Sequence, residues 1–233
     1  MTKFATADGR LIVALDVPTR AEAEALVERI GDAVSFYKVG LQLMATDGMA
    51  LARDLKARGH AVFADWKLHD IGATVEKATA ALAATGACDF LTVHAQPQVL
   101  RAAVKGRGGA PTKILGVTVL TSLSQADLVE IGYGSSIVEL VERRIRQAID
   151  AGADGVIASP HEAALARKLG GSDFLVVTPG VRPVGGSMDD QARAASPRDA
   201  ITNGASHLVV GRPITEAANP RDAALKIAAE MAG

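Results

Sequence analysis

The sequence predicts an α/β protein folded as a single (β/α)8 TIM barrel over residues 1–233. Eight short aliphatic runs recur along the chain at intervals of about 29 residues, close to the length of one strand–helix unit. Alanine-rich, charge-spaced segments with helical periodicity lie between them, and this alternation implies parallel strands with right-handed crossovers. Eight such units close into a barrel, whereas a doubly wound sheet usually has fewer strands. Because no change in composition marks a linker, we expect one domain.

The elements follow one another in a regular order. Predicted strands occupy residues 11–15, 35–39, 61–65, 90–93, 114–120, 155–158, 174–177 and 208–210. Clear helical patterns occupy residues 20–30, 43–58, 71–85, 136–151 and 161–169. Thr19 has a cap-like position before the first helix, and Gly31 is predicted to end it.

Composition excludes several classes of partner. The chain has a formal net charge of −1 and no basic stripe, which argues against nucleic acid and anionic membranes. Its one cysteine, Cys88, allows neither an internal disulfide nor a thiolate metal cluster. Residues 1–10 are polar and lack the apolar segment of a signal peptide, and no apolar run approaches membrane-spanning length. We therefore expect a cytoplasmic protein with no membrane contact.

In this fold, functional residues lie at the C-terminal ends of the strands and in the loops that follow. Charged and hydrogen-bonding residues collect at those positions, namely Asp16, Lys38, Asp65, Lys67, Asp70, His94, Thr121, Ser122, Arg182, Gly211 and Arg212. The histidines have no ligand spacing with a carboxylate, and no spaced-glycine nucleotide motif is present. We expect neither a dedicated zinc or iron site nor a dinucleotide cofactor. His69 and His94 are predicted to support the site by packing or hydrogen bonding.

The run Asp65-Trp66-Lys67-Leu68-His69-Asp70 carries the strongest chemical signal. Residues two apart on a strand share a face, so Asp65 and Lys67 should both point into the barrel, with Lys38 beside them on the preceding strand. Carboxylate neighbours favour the ammonium form, which makes Lys67 a candidate proton donor. Such an array suits a reaction that builds a carbanion beside a fixed cation. The alternative is a structural salt-bridge network that closes the end of the barrel.

A second group of residues predicts a phosphate site. Thr178-Pro179-Gly180-Val181-Arg182-Pro183 follows the seventh strand, and Val210-Gly211-Arg212-Pro213 ends the eighth. The loops after these two strands often bind phosphate in TIM barrels, where glycine allows close approach and arginine pairs with oxyanions. Residues 184–191 are predicted to form a ligand-closing lid. The alternatives are an ordinary surface arginine and a merely flexible connection.

With these residues in place, the sequence resembles the orotidine 5′-phosphate decarboxylase family across nearly its whole length. The matching segments are Leu15-Asp16-Val17-Pro18, Tyr37-Lys38-Val39-Gly40, Asp65 to Ile71, Leu120-Thr121-Ser122, Thr178 to Pro183, Asp190-Gln191-Ala192-Arg193 and Val210 to Ile214. The resemblance implies cofactor-free conversion of orotidine 5′-monophosphate to UMP and carbon dioxide. Two departures are the bulky Trp66 and the run Ala95-Gln96-Pro97-Gln98, where the family often has a small, glycine-rich segment.

The resemblance also assigns roles to residues. It implies that Lys67 protonates the ring carbon, that Asp65 faces the departing carboxylate, and that Lys38 bridges the ribose region and the carboxylates. Further roles implied by the family are ribose binding by Asp16, pyrimidine contact by Thr121 and Ser122, phosphate binding by Arg182, Gln191, Gly211 and Arg212, and entry into a neighbouring subunit's site by Asp70, Ile71 and Thr74. The last three imply a homodimer with shared active sites.

Two rival functions remain open on the sequence. A magnesium-dependent sugar-phosphate decarboxylase or aldolase of the same superfamily shares the Asp-x-Lys-x-x-Asp run, but it has an acidic residue where this chain has Lys38. A non-catalytic sensor of a phosphorylated ligand would keep the phosphate-binding residues without needing the charged array.

Overall fold

The computed structural model of the protein describes residues 7–182 and 195–233. Within them, eight parallel strands pair in sequence order and the eighth pairs with the first, so the sheet closes into a barrel. The strands are β1 Leu11–Ala14, β2 Phe36–Val39, β3 Ala61–Leu68, β4 Phe90–His94, β5 Lys113–Val117, β6 Gly155–Ile157, β7 Leu175–Thr178 and β8 His207–Val210. The predicted (β/α)8 barrel is confirmed.

Helices connect the strands on the outside of the barrel. They are α1 Arg20–Ile30, α2 Leu41–Met44, α3 Gly48–Ala57, α4 Gly72–Ala84, α5 Pro97–Arg107, α6 Gln125–Glu130, α7 Ile137–Asp150, α8 Ala163–Gly170, α9 Pro197–Thr202, α10 Arg212–Thr215 and α11 Pro220–Ala232. None of the helices in the described residues is both long and apolar enough to span a bilayer.

The period of two along each strand separates two apolar layers. Phe36, Phe63 and Phe90 point into the barrel and form an inner cluster with aliphatic side chains of other strands. The alternate residues, such as Tyr37 and Trp66, join a larger outer layer between the strands and the helices. Trp66 therefore points away from the barrel interior, and its bulky side chain is buried in this outer layer.

Helix α1 has the predicted bounds and the predicted caps. The Thr19 side chain accepts a hydrogen bond from the backbone N–H of Glu22, and Gly31 follows the helix at a φ of 61°. A side chain at Gly31 would be strained in this left-handed conformation, so the residue ends the helix cleanly.

The single helix predicted over residues 43–58 is wrong, because the chain forms α2 and α3 with a break between them. The Thr46 hydroxyl donates to the carbonyl of Leu43 at 3.2 Å, offering the backbone a local alternative to helix. Helix α3 then restarts at Gly48, where a Cβ atom would lie 2.9 Å from the Leu43 carbonyl oxygen. Only glycine allows the two short helices to approach so closely.

Two strand ends also differ from the prediction. The strand predicted over 114–120 ends at Val117, after which the chain turns along the rim of the barrel. In contrast, β3 continues beyond the predicted Asp65 to Leu68 through an irregularity in its pairing with β4. This extension keeps Asp65 and Lys67 on the barrel wall.

At the opposite end of the barrel, a repeated contact joins the strands in pairs. The residue directly before β4, β6 and β8 uses a side-chain oxygen to accept the backbone N–H of the second residue of the preceding strand. The pairs are Asp89 with Val62 at 2.8 Å, Asp154 with Ile114 at 2.9 Å, and Ser206 with Val176 at 2.9 Å. The backbone N–H groups of Asp89, Asp154 and Ser206 in turn donate to the carbonyls of the same partner residues. The paired hydrogen bonds fix the register where the strands begin.

Candidate active site

A cavity of about 440 Å³ opens at the C-terminal ends of the strands. Eight of the sequence-predicted site residues line it, namely Asp16, Lys38, Asp65, Lys67, Thr121, Arg182, Gly211 and Arg212. They come from six places along the sequence, and closure of the barrel brings them together. The floor is apolar and includes Phe63 and Val209 of the inner cluster.

The charged side chains form one connected array. Nζ of Lys38 lies 2.9 Å from Oδ1 of Asp16 and 3.4 Å from Oδ2 of Asp65, and Nζ of Lys67 lies 2.9 Å from Oδ1 of Asp65. Lys38 and Asp65 are nearly buried, with side chains 10% and 13% exposed, whereas the Asp16 side chain is 57% exposed. The array thus runs from solvent-facing Asp16 into the buried wall of the cavity.

Mutual attraction keeps Lys38 and Asp65 ionised despite their burial. Burial by itself would raise the pKa of Asp65, but the ammonium groups of Lys38 and Lys67 and two side-chain hydrogen bonds outweigh it and lower that pKa. Burial would likewise lower the pKa of Lys38, yet the carboxylates of Asp65 and Asp16 raise it overall. A carboxylate and an ammonium are therefore held side by side at neutral pH, preorganised toward the cavity.

Lys67 has an unusual backbone conformation. Its φ is 49°, and among the described residues it is the one non-glycine residue with a positive φ. Such a conformation costs an L-residue about 1–3 kcal/mol and persists only where the surroundings hold it in place. The structure therefore uses backbone strain to direct this side chain. The sequence predicted the facing of Asp65 and Lys67 correctly, but not this distortion.

The predicted phosphate-binding residues meet on the other side of the cavity. Arg182, Gly211 and Arg212 line that side, together with Pro179 and Gly180. In α10 the N–H groups of Ile214 and Thr215 donate to the carbonyl of Gly211, and Pro213 has no N–H. The arginine side chains are therefore better placed than this helix's backbone to bind an anion.

Other predicted site residues lie away from the cavity. Asp70, Ile71, Thr74 and Ser122 are exposed and do not line it, and Ile71 is 73% exposed despite its apolar side chain. Gln191 and the predicted lid lie outside the described residues. The structure thus divides the predicted run, with Asp65 and Lys67 inside the cavity and Asp70 on the outer rim.

The two histidines near the charged run contact each other rather than lining the cavity. The rings of His69 and His94 stack at a tilt with centroids 4.9 Å apart. Nε2 of His69 lies 2.9 Å from Oε1 of Gln96, which belongs to the run of residues 95–98 that differs from the family pattern. Burial lowers the pKa of His94, with smaller contributions from nearby cations. Both rings therefore lie outside the cavity lining, and their supporting role stays a prediction.

Several lining residues escaped the sequence analysis. Val119 and Leu120 add an apolar wall, and Thr215 and Glu216 add polar groups near Arg212. Thr215 and Glu216 follow Arg212 by about one helical turn, a spacing that places side chains on the same helix face. This spacing could have predicted from the sequence that Thr215 and Glu216 lie near Arg212. Within residues 7–182 and 195–233, no cluster of three histidine, cysteine or acidic side chains is arranged to hold a metal ion.

A closed eight-stranded barrel with a charged cavity at the C-terminal strand ends is typical of TIM-barrel enzymes acting on small phosphorylated molecules. Comparison with known proteins narrows this class. Residues 9–227 match the model of the "Orotidine 5'-phosphate decarboxylase / HUMPS family", and the chain belongs to that family.

Individual relatives agree with the family match. A protein of Caulobacter sp. (strain K31) described as orotidine 5'-phosphate decarboxylase is 65% identical over 98% of this chain and 99% of its own length. A protein of Methylobacterium radiotolerans with the same description is 53% identical over the full length of both chains. The crystal structure of orotidine 5'-phosphate decarboxylase from Lactobacillus acidophilus superposes with a TM-score of 0.84 at 36% identity, covering 97% of this chain and 100% of that one.

Proposed function

We propose that this protein converts orotidine 5′-monophosphate to UMP and carbon dioxide, in pyrimidine nucleotide synthesis, without a metal or cofactor. Family membership and the full-length relatives support the reaction. The observation that carries the mechanism is the Lys67 ammonium held 2.9 Å from the buried Asp65 carboxylate on the cavity wall. No feature of a simple phosphate sensor requires that pair.

Substrate binding would use both sides of the cavity. Arg182, Arg212 and the backbone at Gly211 would hold the phosphate, with Gln191 as a further contact suggested by the family resemblance. Asp16 and Lys38 would bind the ribose, and Thr121 would contact the pyrimidine. Ser122 lies outside the cavity, and its contact with the pyrimidine is suggested only by the family resemblance. This placement leaves the base against the apolar floor, with its carboxylate directed toward Asp65.

The chemical step would then follow from the array. The bond between the ring carbon and the carboxylate breaks, its electron pair stays on the ring carbon, and carbon dioxide leaves. The ammonium of Lys67 stabilises the developing negative charge and donates its proton to that carbon, after which the amine regains a proton from solvent. Asp65 pairs with the Lys67 ammonium at 2.9 Å and would disfavour a carboxylate bound beside it. The preorganised array supports the proposed step.

Lys38 argues against the magnesium-dependent sugar-phosphate chemistry that shares the Asp-x-Lys-x-x-Asp run. Its ammonium lies between the carboxylates of Asp16 and Asp65, where a divalent cation would otherwise bind. A metal entering that position would meet a fixed positive charge. Magnesium-dependent activity on ketose phosphates would favour the sugar-phosphate decarboxylase or aldolase instead.

We further propose that the protein is a homodimer with shared active sites. Asp70, Ile71 and Thr74 are exposed, do not line their own cavity, and lie beside it on the rim. A 73% exposed isoleucine gains from burial against a second copy. In that arrangement Asp70 would add a carboxylate to the partner's array. A free nucleotide substrate fits a cytoplasmic enzyme of one domain with no nucleic acid or membrane partner.

The direct test is ultraviolet absorbance after orotidine 5′-monophosphate is added to EDTA-treated protein. We expect the spectrum to change to that of UMP, with one carbon dioxide released per substrate. Lys67→Ala should still bind UMP in calorimetry but lose turnover by several orders of magnitude. A sensor would bind without turnover in both forms. Wild-type protein that binds the substrate but leaves it intact would overturn the proposed reaction.

A further inference from the structure

One buried hydroxyl contacts both catalytic candidates on β3. Oγ1 of Thr92, on β4, donates a hydrogen bond to Oδ1 of Asp65 at 2.9 Å and accepts one from the backbone N–H of Lys67 at 3.0 Å. Thr92 is 0% exposed, so no water replaces either bond. A hydroxyl has one hydrogen to donate, and here the carboxylate receives it.

The pairing of β3 with β4 explains why this hydroxyl is needed. Ala64 pairs with Leu91 and Leu68 pairs with Val93, so three residues of β3 lie opposite Thr92 alone. Two extra residues keep the inward and outward alternation on both sides of the bulge, whereas one would reverse it. The ladder carbonyls no longer match in this stretch, and the Thr92 side chain supplies the acceptor for the Lys67 N–H.

We propose that Thr92 is a positioning residue for decarboxylation, because its hydroxyl orients the Asp65 carboxylate and holds the left-handed Lys67 backbone at the same time. Oδ1 of Asp65 is fixed between Thr92 Oγ1 and Lys67 Nζ, and Oδ2 faces Lys38. The distance between the carboxylate and the proton donor therefore depends on a third strand. This inference rests on the proposed decarboxylase function.

The contribution of Thr92 differs from ordinary packing. An isosteric valine would fill the same volume, yet it would leave the Lys67 N–H without an acceptor and remove one of the hydrogen bonds that lower the pKa of Asp65. Lys38 on β2, Lys67 on β3 and Asp16 beyond Lys38 are the charges near that carboxylate, and all three remain in the variant. Any change in the ionisation of Asp65 would then report the loss of the hydroxyl.

The experiment compares Thr92→Val and Thr92→Ser with wild type, after wild-type turnover has been established. Thr112→Val is the matched control, since Thr112 is 1% exposed and its hydroxyl donates to the Cys88 carbonyl at the far end of the barrel. We expect Thr92→Val to lower kcat about 10- to 100-fold with a smaller change in KM. The acid limb of its kcat/KM profile should move to higher pH. Thr92→Ser should recover most of the activity.

Each outcome decides the question. Wild-type kcat and an unchanged pH profile in Thr92→Val would overturn the positioning role, while wild-type turnover would leave the proposed reaction intact. Equal losses in Thr92→Val and Thr112→Val, without a shift of the acid limb, would mean that only general stability had changed. If Thr92→Val does not fold, Thr92→Cys replaces it, because a thiol fills similar space but hydrogen-bonds weakly, and the same outcomes apply.

Discussion

Lys38 bridges Asp16 and Asp65, with Nζ 2.9 Å from Oδ1 of the first carboxylate and 3.4 Å from Oδ2 of the second. The three residues follow or belong to β1, β2 and β3, so one ammonium joins three neighbouring strand ends. It connects the exposed carboxylate proposed to bind ribose with the buried carboxylate beside the proton donor. Occupancy of one part of the substrate site is thereby linked electrostatically to the other.

Removing this ammonium should weaken catalysis and change its pH dependence. In Lys38→Met, Asp65 loses the largest of the interactions that lower its pKa, so that pKa rises. We expect kcat/KM to fall about 100-fold or more and its acid limb to move to higher pH. Lys56→Met is the control, because Lys56 pairs with Asp89 at the opposite end of the barrel. A similar loss in both variants would contradict a role specific to Lys38.

Gly40 should be needed for the same pair. A Cβ atom at this position would lie 2.7 Å from Oδ1 of Asp16 and 3.1 Å from Nζ of Lys38. Gly40→Ala must therefore displace one of them, and we expect kcat/KM to fall about tenfold or more. At Gly109 an added Cβ meets nothing within 4 Å, so Gly109→Ala should behave like wild type. Unchanged kinetics in Gly40→Ala would show that the Asp16–Lys38 contact is dispensable.

Arg212 should act on substrate affinity through the phosphate. Because a charge-assisted contact is lost, Arg212→Ala should raise KM about 10- to 100-fold, with a smaller effect on kcat. Orotidine, which lacks the phosphate, should be turned over equally by wild type and variant. Arg146→Ala removes an exposed arginine paired with Glu142 and serves as the control. A loss of the same size with orotidine would place Arg212 outside the phosphate site.

Shared active sites predict complementation between two inactive variants. In a mixed dimer of Lys67→Ala and Asp70→Ala, one site carries both substitutions and the other is intact. Random mixing should restore about one quarter of wild-type activity. Lys67→Ala mixed with Asp65→Ala is the control and should stay inactive, since both residues serve their own subunit's cavity. If mixed dimers form and remain inactive, Asp70 does not serve the neighbouring site.

His207 should make folding stability depend on pH. Burial lowers its pKa to about 4, with Asp8 and Arg10 acting in opposite directions, and its ring packs against Phe36 and Phe90. The unfolded chain then binds the extra proton between pH of about 6.5 and 4, so stability falls as pH drops through that window, by about 3 kcal/mol. Urea unfolding at both pH values should show a smaller drop for His207→Asn. Equal drops would exclude His207 as the cause.

The sequence was sufficient to predict features that follow from the repeat of apolar residues along each strand and helix. Eight apolar runs with helices between them determine a parallel barrel, and the two-residue alternation turns Lys38 and Asp65 inward. Features that depend on distant partners were not predictable in this way. The bulge at Lys67 is set by its pairing with Thr92, and the break before Gly48 by a backbone contact with Leu43. The exposed position of Asp70 likewise follows from where β3 ends.

The side-chain contacts of Asp89, Asp154 and Ser206 separate stability from catalysis in space, because they lie at the end of the barrel opposite the cavity. Each fixes strand register at the end away from the cavity, so the rim does not have to maintain alignment through its own hydrogen bonds. Loops and charges around the cavity are then free to change in evolution without loss of the scaffold. Substitutions at the end with the register contacts should lower the melting temperature. Substitutions around the cavity should slow turnover in a protein that melts at the normal temperature.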